Sequence, residues 1–212
     1  RLNSFQKLHE LPQLTFKYGS KIFFETNLPD VAALRASLSQ THSVVTAPPG
    51  VSVLSFQEAA QTHEHLLKDF LLSFDTYDPS TRLAALHAAL CPSGTLIFVP
   101  AHVRVEQPII LDCAGQDDVH LDHVLVIAEE GSSITIVDLN SLNASFRSHT
   151  VNIIVGDHAH IEYHSLHVPQ QGQSFLRRQA RVGAHGTLHW TSALFGGSFS
   201  QSITMTDLIG EG

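Results

Sequence analysis

The sequence predicts a mainly β protein whose core is a β-solenoid, preceded by a small α/β or helical region. Two observations predict this fold class. Helical periodicity is confined to the part of the chain before Gly94, and short alternating strands follow it with glycines at near-regular intervals. A sandwich of two sheets is also built from short alternating strands, so the repeats favour the solenoid without excluding the sandwich.

The first ninety residues alternate extended runs with helices. KIFFET at 21–26 and SVVTAPPGVSVLSF at 43–56 are rich in β-branched and aromatic residues, and a turn at 48–50 breaks the second run. Ser55 and Glu58 form the pattern of a capping box. They predict the start of one helix, whose apolar side consists of Leu66, Leu67, Phe70 and Leu71.

A further helix is predicted after Asp78, Pro79 and Ser80. Its apolar stripe consists of Leu83, Leu86 and Leu90, and Pro92 and Gly94 end it. We therefore divide the chain into a mixed helix and strand region at 1–90 and a β core at 91–212.

The repeats within the β core are aligned on Gly131, Gly156 and Gly183, which follow one another at nearly equal intervals. In this alignment the third and fifth residues after each glycine are apolar or small: Ile134, Ala159 and Gly186, then Ile136, Ile161 and Leu188. The residues between them are polar. Such units bury their apolar faces only when they stack, as they do in a solenoid.

The segment HAHIEYH at 158–164 places polar residues at every second position: His158, His160, Glu162 and His164. On one strand these side chains share a face, and Ile161 and Tyr163 take the other. We expect the polar row to point outward, with His158 beside His185 and Glu162 beside His189. We also expect Trp190 to pair with Tyr163 in the core.

Two interpretations of this row remain open. The four residues His158, His160, Glu162 and His164 are candidate metal ligands, because neutral imidazoles and a carboxylate bind zinc or iron. The alternative, which we favour, is an outward ladder that faces solvent or a partner.

Composition narrows the classes of partner. The chain of 212 residues has a formal charge of -8 with 12 Lys and Arg, and its one basic group is Arg177, Arg178 and Arg181. These arginines are ordinary solvated charges or a surface for a carboxylate-rich partner. We expect no nucleic-acid partner. No apolar run approaches the about 20 residues that cross a bilayer, and the amino end lacks the apolar region of a signal peptide, so we expect a cytoplasmic protein without a membrane partner.

The cysteine content also indicates a reducing compartment. Cys91 and Cys113 are too few for a disulfide framework and belong to no CxxC pair. Cys91 follows a predicted helix, and we expect it to be a buried structural thiol.

Specific strings resemble the SufB/SufD family. The resemblance begins with LAALHAAL and CPSGTLIFVPAHVRVEQPIIL, continues through HVLVIAEEGSSITIVD and VNIIVGDHAHIEYHSLH, and ends with GGSFSQSITMTDLIGEG. It covers about residues 50–212. It implies a right-handed parallel β-helix and a role as a subunit of the SUF iron-sulfur cluster assembly complex.

The chain is more similar to SufD than to SufB, because FLRRQARVGAHG at 175–186 has no cysteine where SufB-type sequences have one. The resemblance implies a non-catalytic scaffold with a SufB-like subunit and the SufC ATPase as partners, or a homodimer. It implies that this chain binds no cofactor stably, although a cluster can be held transiently in the complex. Family members are longer, so we expect a fragment of a longer product or a chain end capped by another copy.

Two other functions are compatible with the residues. One is a metal-dependent enzyme of β-helix or cupin type that uses His158, His160 and Glu162. The other is a plain structural solenoid. The sequence has no GxxxxGK[ST] phosphate-binding loop, so nucleotide hydrolysis is expected only of a partner.

Overall fold

The segment before the main β region contains short strands. The computed structural model describes residues 6, 10–12, 14–18, 22–26, 43–44, 47–71, 74, 81–91 and 94–210. Strands β1 (Leu14–Tyr18) and β2 (Ile22–Thr26) pair antiparallel. Strands β3 (Ser43–Val44) and β4 (Ser52–Ser55) lie on either side of the predicted turn.

The predicted capping box begins helix α1 (Phe56–Thr62). The Ser55 hydroxyl accepts a hydrogen bond from the backbone N–H of Glu58, whose carboxylate accepts one from the N–H of Ser55. The prediction of one continuous helix is wrong at His63. Its φ of -133° is not helical, and helix α2 (Glu64–Phe70) begins after it.

The further predicted helix is α3 (Arg82–Leu90). Thr81 caps it, because its hydroxyl accepts a hydrogen bond of 3.2 Å from the backbone N–H of Ala84. The start and stop residues that the sequence predicted for this helix lie outside the described residues; they are 78–80 and Pro92.

After residue 94 the chain winds as a parallel β-solenoid of about four turns, and successive strands alternate between two sheets. Sheet A contains β5 (Thr95–Val99), β7 (Gln116–Ala128), β9 (Asn143–Val155), β11 (Gln173–Val182) and β13 (Phe199–Leu208). Sheet B contains β6 (Ile109–Cys113), β8 (Ser133–Asn140), β10 (His160–His167) and β12 (Thr187–Leu194).

Parallel pairing within both sheets confirms the predicted solenoid. Ile134 pairs with Ile161 and Ile161 pairs with Leu188, so one coil corresponds here to a difference of 27 in residue number. A sandwich of antiparallel sheets is excluded. At the first coil β3 and β4 add to sheets B and A as antiparallel strands. The right-handed winding that the resemblance implies stays a prediction.

The same left-handed backbone position recurs in each turn from sheet A to sheet B. His102, Gly131, His158 and His185 have φ values of 63°, 65°, 56° and 56°. The first three donate their backbone N–H to a carbonyl of the following coil over 2.8–2.9 Å. Gly131 is therefore the structural equivalent of His158.

Gly156 and Gly183 occupy a different position in this turn. Each donates its backbone N–H to a carbonyl of the preceding coil over 2.8 Å. The predicted alignment of Gly131 with Gly156 is wrong, because these two glycines occupy unlike turn positions and their spacing is shorter than one coil. Ile161 consequently pairs with Ile134 and not with Ile136.

An apolar core fills one half of the space between the sheets. It is formed by aliphatic residues of both sheets together with Tyr163: Ile97, Val99, Ile109, Leu111, Val124, Val126, Ile134, Ile136, Val151, Ile153, Val155 and Ile161 among them. The rings of Tyr163 and Trp190 lie 5.4 Å apart between centroids, which confirms the predicted inward pair. Residues of helices α1, α2 and α3 pack against the other face of sheet A.

Candidate functional site

The predicted histidine row lies on the outer face of sheet B. Ile161 and Tyr163 are fully buried, and the side chains of His160, Glu162 and His164 are 37–39% exposed. The predicted division into inward and outward residues is therefore confirmed for these five positions of β10.

Glu162 is the centre of this outer cluster. Its Oε1 lies 3.6 Å from Nε2 of His160 and 3.9 Å from Nδ1 of His189, and its Oε2 lies 3.5 Å from Nε2 of His164. Hydrogen bonding, from His164 above all, lowers the pKa of Glu162. His160, Glu162 and His189 bring one ligand atom each within 4.8 Å of one another, close enough to share a metal ion.

His158 departs from the predicted row. It lies in the left-handed turn before β10, where its ring stacks on that of His185, as the sequence predicted for this pair. His158 is exposed, as predicted, but it does not belong to the strand row, because a residue with a φ of 56° does not continue a strand.

A second cluster lies inside the solenoid, in the half of the interior that the apolar core leaves. Sheet A contributes His120, Asp122, Arg147, His149 and Arg178, and sheet B contributes Cys113, Asp138, Ser165 and His167. Each of these residues is at most 4% exposed. Buried charges require partners, so their contacts decide what the cluster does.

His149 links two carboxylates across the interior. Its Nδ1 is hydrogen-bonded to Oδ2 of Asp122, and its Nε2 lies 3.0 Å from Oδ2 of Asp138. Burial acts to lower the pKa of His149, but the two carboxylates outweigh it and raise the pKa to about 9. This imidazole therefore carries a positive charge at neutral pH and lies between the carboxyl groups of Asp122 and Asp138.

Asp138 is the meeting point of three side chains. Besides His149, its Oδ2 accepts a hydrogen bond of 3.1 Å from the Tyr163 hydroxyl and lies 3.6 Å from Nε2 of His167. Burial raises the pKa of Tyr163 well above its ordinary value, so the phenol stays protonated and acts as a donor.

Two further members of the cluster, His120 and Arg147, lie beside Asp122. Nε2 of His120 lies 3.7 Å from Oδ1 of Asp122, and Nη2 of Arg147 lies 3.7 Å from its Oδ2. Sγ of Cys113 lies 3.5 Å from Nε2 of His120. Burial raises the pKa of the Cys113 thiol to about 12. A thiol with this pKa is protonated and a poor nucleophile at neutral pH. Cys91 is also buried, as predicted.

Arg178 is buried, although the sequence predicted a surface arginine. It is 2% exposed and donates hydrogen bonds of 2.9 Å to the hydroxyls of Ser165 and Ser202, so it is not a solvated charge. Arg177 donates to Gln179 and Arg181 lies over the ring of Phe74. A partner surface at these two arginines stays a prediction.

Two further buried histidines lie between α3 and the outer face of sheet A. Nδ1 of His87 is 2.9 Å from the hydroxyl of Ser148, and Nε2 of His123 is 2.6 Å from Oδ1 of Asn152. Their rings are 5.6 Å apart. Burial, and to a smaller extent the neighbouring ring of His123, lowers the pKa of His87 to about 3. Burial lowers the pKa of His123 to about 4.

The inner cluster was not predicted from the sequence, although part of its signal is present there. Strand alternation places Asp138 on the same face as Ile134 and Ile136, and His167 on the same face as Ile161 and Tyr163. A charged residue that continues an inward apolar row is the signal. Its partner His149 could not be assigned without the register of the coils.

Sequence comparison places the chain in a known family. The model of the SufBD protein N-terminal region matches residues 33–111, and the model described as SUF system FeS cluster assembly, SufBD core domain, matches residues 111–212. The chain belongs to the SufBD family.

Curated relatives agree with this membership. The iron-sulfur cluster assembly protein SufD of Bacillus subtilis is 29% identical over 172 residues, which are 77% of this chain and 39% of the relative. An iron-sulfur cluster assembly SufBD family protein of Staphylococcus haemolyticus is 24% identical over 170 residues, 77% of this chain and 36% of the relative. The chain thus spans less than two-fifths of the length of these relatives. Among the described helices, none has the length and apolar character needed to cross a membrane.

Proposed function

We propose that the protein is a SufD-like scaffold subunit of iron-sulfur cluster assembly, which acts with a SufB-like subunit, or a second copy of itself, and a SufC-like ATPase. The observation that carries this proposal is the match of two SufBD family models to residues 33–212, a range that includes the described solenoid. The names of the relatives, all iron-sulfur cluster assembly proteins, support it.

The chemistry of the chain supports a non-catalytic role. The sequence has no phosphate-binding loop, so the ATPase belongs to a partner. Its two thiols are buried. A buried thiol does not present the exposed thiolate that binds iron at an interface. We infer that the iron-sulfur cluster is cargo, held transiently with a partner, and that the complex works in the cytoplasm without nucleic acid or membrane.

Affinity purification tests this function. The intact protein, tagged at its chromosomal locus, is purified without oxygen from its own cells after mild cross-linking, and its partners are identified by mass spectrometry. We expect an ABC-type ATPase at near-stoichiometric amount, with a tagged unrelated protein as the control. Recovery of the protein without any ATPase contradicts the proposal.

A second candidate function rests on the outer cluster. His160, Glu162 and His189 are placed to bind a metal ion, and this grouping replaces His158 of the sequence-based set with His189. A metal-dependent enzyme would use such an ion at the surface. The parallel sheets exclude the antiparallel cupin fold, so only the β-helix form of this alternative is left. Tight zinc or iron that is lost in His160→Ala would favour it.

A further inference from the structure

The inner cluster has the composition of a metal centre. Asp138, His149 and His167 each direct one ligand atom to a common space, and these atoms lie within 4.8 Å of one another. We propose that these three residues bind one divalent transition-metal ion, Zn²⁺ or Fe²⁺, inside the solenoid. This site is separate from the outer cluster and goes beyond the scaffold function.

The distances fit such an ion. Nitrogen and oxygen ligands lie about 2.0–2.2 Å from zinc, so the ligand atoms of a tetrahedral site are about 3.4 Å from one another. Oδ2 of Asp138 is 3.0 Å from Nε2 of His149 and 3.6 Å from Nε2 of His167. Two imidazoles and one carboxylate form a ligand set that zinc and non-haem iron both accept.

His167 provides an independent indication of a ligand. It is 1% exposed, and among the residues that the structure describes neither of its ring nitrogens lies within 3.5 Å of a hydrogen-bond partner; Oδ2 of Asp138 is 3.6 Å from Nε2. Burying a polar group without a partner costs free energy. A bound ion would supply the missing partner for Nε2.

Two neighbouring residues orient the proposed ligands. Asp122 accepts the hydrogen bond from Nδ1 of His149, which leaves Nε2 of the same ring directed at Asp138. The hydroxyl of Tyr163 donates to Asp138. A carboxylate on the distal nitrogen of a histidine ligand is the usual support of a metal-bound imidazole.

The charges of the cluster also suit a cation. The ring of His149 lies between the carboxylates of Asp122 and Asp138. A metal ion bound at Nε2 of His149 would place positive charge beside Asp138.

The proposed centre differs from the iron-sulfur cargo of the family. Its ligand atoms are nitrogen and oxygen, and no thiol belongs to the group of three. It also departs from the expectation that this chain binds no cofactor stably. That expectation came from the family resemblance, which gave no view of the solenoid interior.

Metal content of three single variants tests the site. The intact protein is produced with Zn²⁺ or Co²⁺ and passed through a chelator, after which its metal is measured by mass spectrometry and the Co²⁺ form by visible absorption. His167→Gln removes a proposed ligand. His123→Gln is the matched control, because His123 is equally buried but lies outside the solenoid, between sheet A and helix α3. His160→Ala removes the outer cluster.

We expect one equivalent of metal, with the absorption of a four- or five-coordinate Co²⁺ ion, in the wild type, His123→Gln and His160→Ala. We expect at least a tenfold loss in His167→Gln. Because the site is buried, release to the chelator should be slow in the first three proteins. Absence of metal from the wild type, or equal metal in His167→Gln, overturns the proposal.

A folding failure of His167→Gln would not leave the question open. The double variant His160→Ala with Glu162→Gln changes only half-exposed positions of the outer cluster. Retention of one slowly released Co²⁺ ion in this variant supports the inner site. Loss of that ion assigns the metal to the surface and contradicts the proposal. Neither result bears on the scaffold function, which is decided by recovery of the ATPase.

Discussion

The imidazole ring of His158 stacks on the ring of His185, with centroids 4.9 Å apart and an angle of 17° between the ring planes. Both residues have a φ of 56°, a left-handed conformation that non-glycine residues seldom adopt. The stack joins equivalent turns of two successive coils. The turn therefore combines a backbone conformation that is costly for histidine with a favourable contact between coils.

Substitution of His158 tests the left-handed turn. His158→Val places a β-branched residue at positive φ, so we expect the free energy of unfolding to fall by about 1–2 kcal/mol. His158→Gly removes both the strain and the ring stack, and we expect a change below about 0.5 kcal/mol. Urea denaturation measures both. His189→Val, at an exposed position of a strand, is the matched control and should be nearly neutral; equal losses at 158 and 189 would refute the explanation.

Adjacent arginines of β11 should differ in their contribution to stability. Arg178 is buried and donates two hydrogen bonds of 2.9 Å, to serines of both sheets, whereas Arg177 is half-buried. We expect Arg178→Met to lower the free energy of unfolding by about 2–3 kcal/mol, because the buried hydroxyl of Ser165 loses a charged partner and the exposed Ser202 loses its link to the interior. Arg177→Met should cost below about 1 kcal/mol. Thermal and urea unfolding of the pair check this, and similar losses in both variants would show that Arg178 is not a structural link.

Acid should destabilise the protein through the histidines under α3. Burial lowers the pKa of His87 to about 3 and of His123 to about 4, so the folded state keeps both rings neutral where the unfolded chain binds protons. Stability is then complete above pH about 6.5 and falls as the pH decreases toward these values, by about 1–2 kcal/mol for each ring at pH 5.

The variant His87→Gln isolates this contribution. The titratable and charged groups that act electrostatically on His87 are His123, Asp122, His149 and Arg177, and they remain in the variant. We expect the free energy of unfolding, measured by urea denaturation between pH 7.5 and 4.5, to fall less steeply in His87→Gln than in the wild type. Parallel slopes in the two proteins would mean that His87 does not stay neutral in the folded state.

Local sequence patterns predicted individual helix starts and buried strand positions better than they predicted which strands pair between coils. The capping box at Ser55 and Glu58 and the inward position of Ile161 depend on neighbours within a few residues, and both were predicted. The pairing of coils depends on contacts between residues that lie a full coil apart in the chain. Gly131 was therefore matched with the wrong turn glycine, since a glycine and a histidine fill the same left-handed position in successive coils.

The candidate site residues show the same division. The exposed row at His160 and Glu162 was found because alternation makes it visible in one strand. The inner cluster unites Asp138, His149 and His167 from three strands. Sequence shows that polar residues interrupt the inward rows, but only the folded coils show that these residues meet.

Cross-linking across two strands tests the coil register on which the fold and both clusters depend. Thr135 pairs with Glu162 in the structure, whereas the glycine alignment would place Val137 beside Glu162. Paired residues on neighbouring strands are about 5 Å apart, and a displacement of two residues raises this to about 8 Å, beyond the reach of a disulfide. The measurement is the fraction of disulfide formed under mild oxidation in two double variants. Thr135→Cys with Glu162→Cys should form it readily and Val137→Cys with Glu162→Cys should not; the reverse order, or no disulfide in either, would contradict the parallel register of the coils.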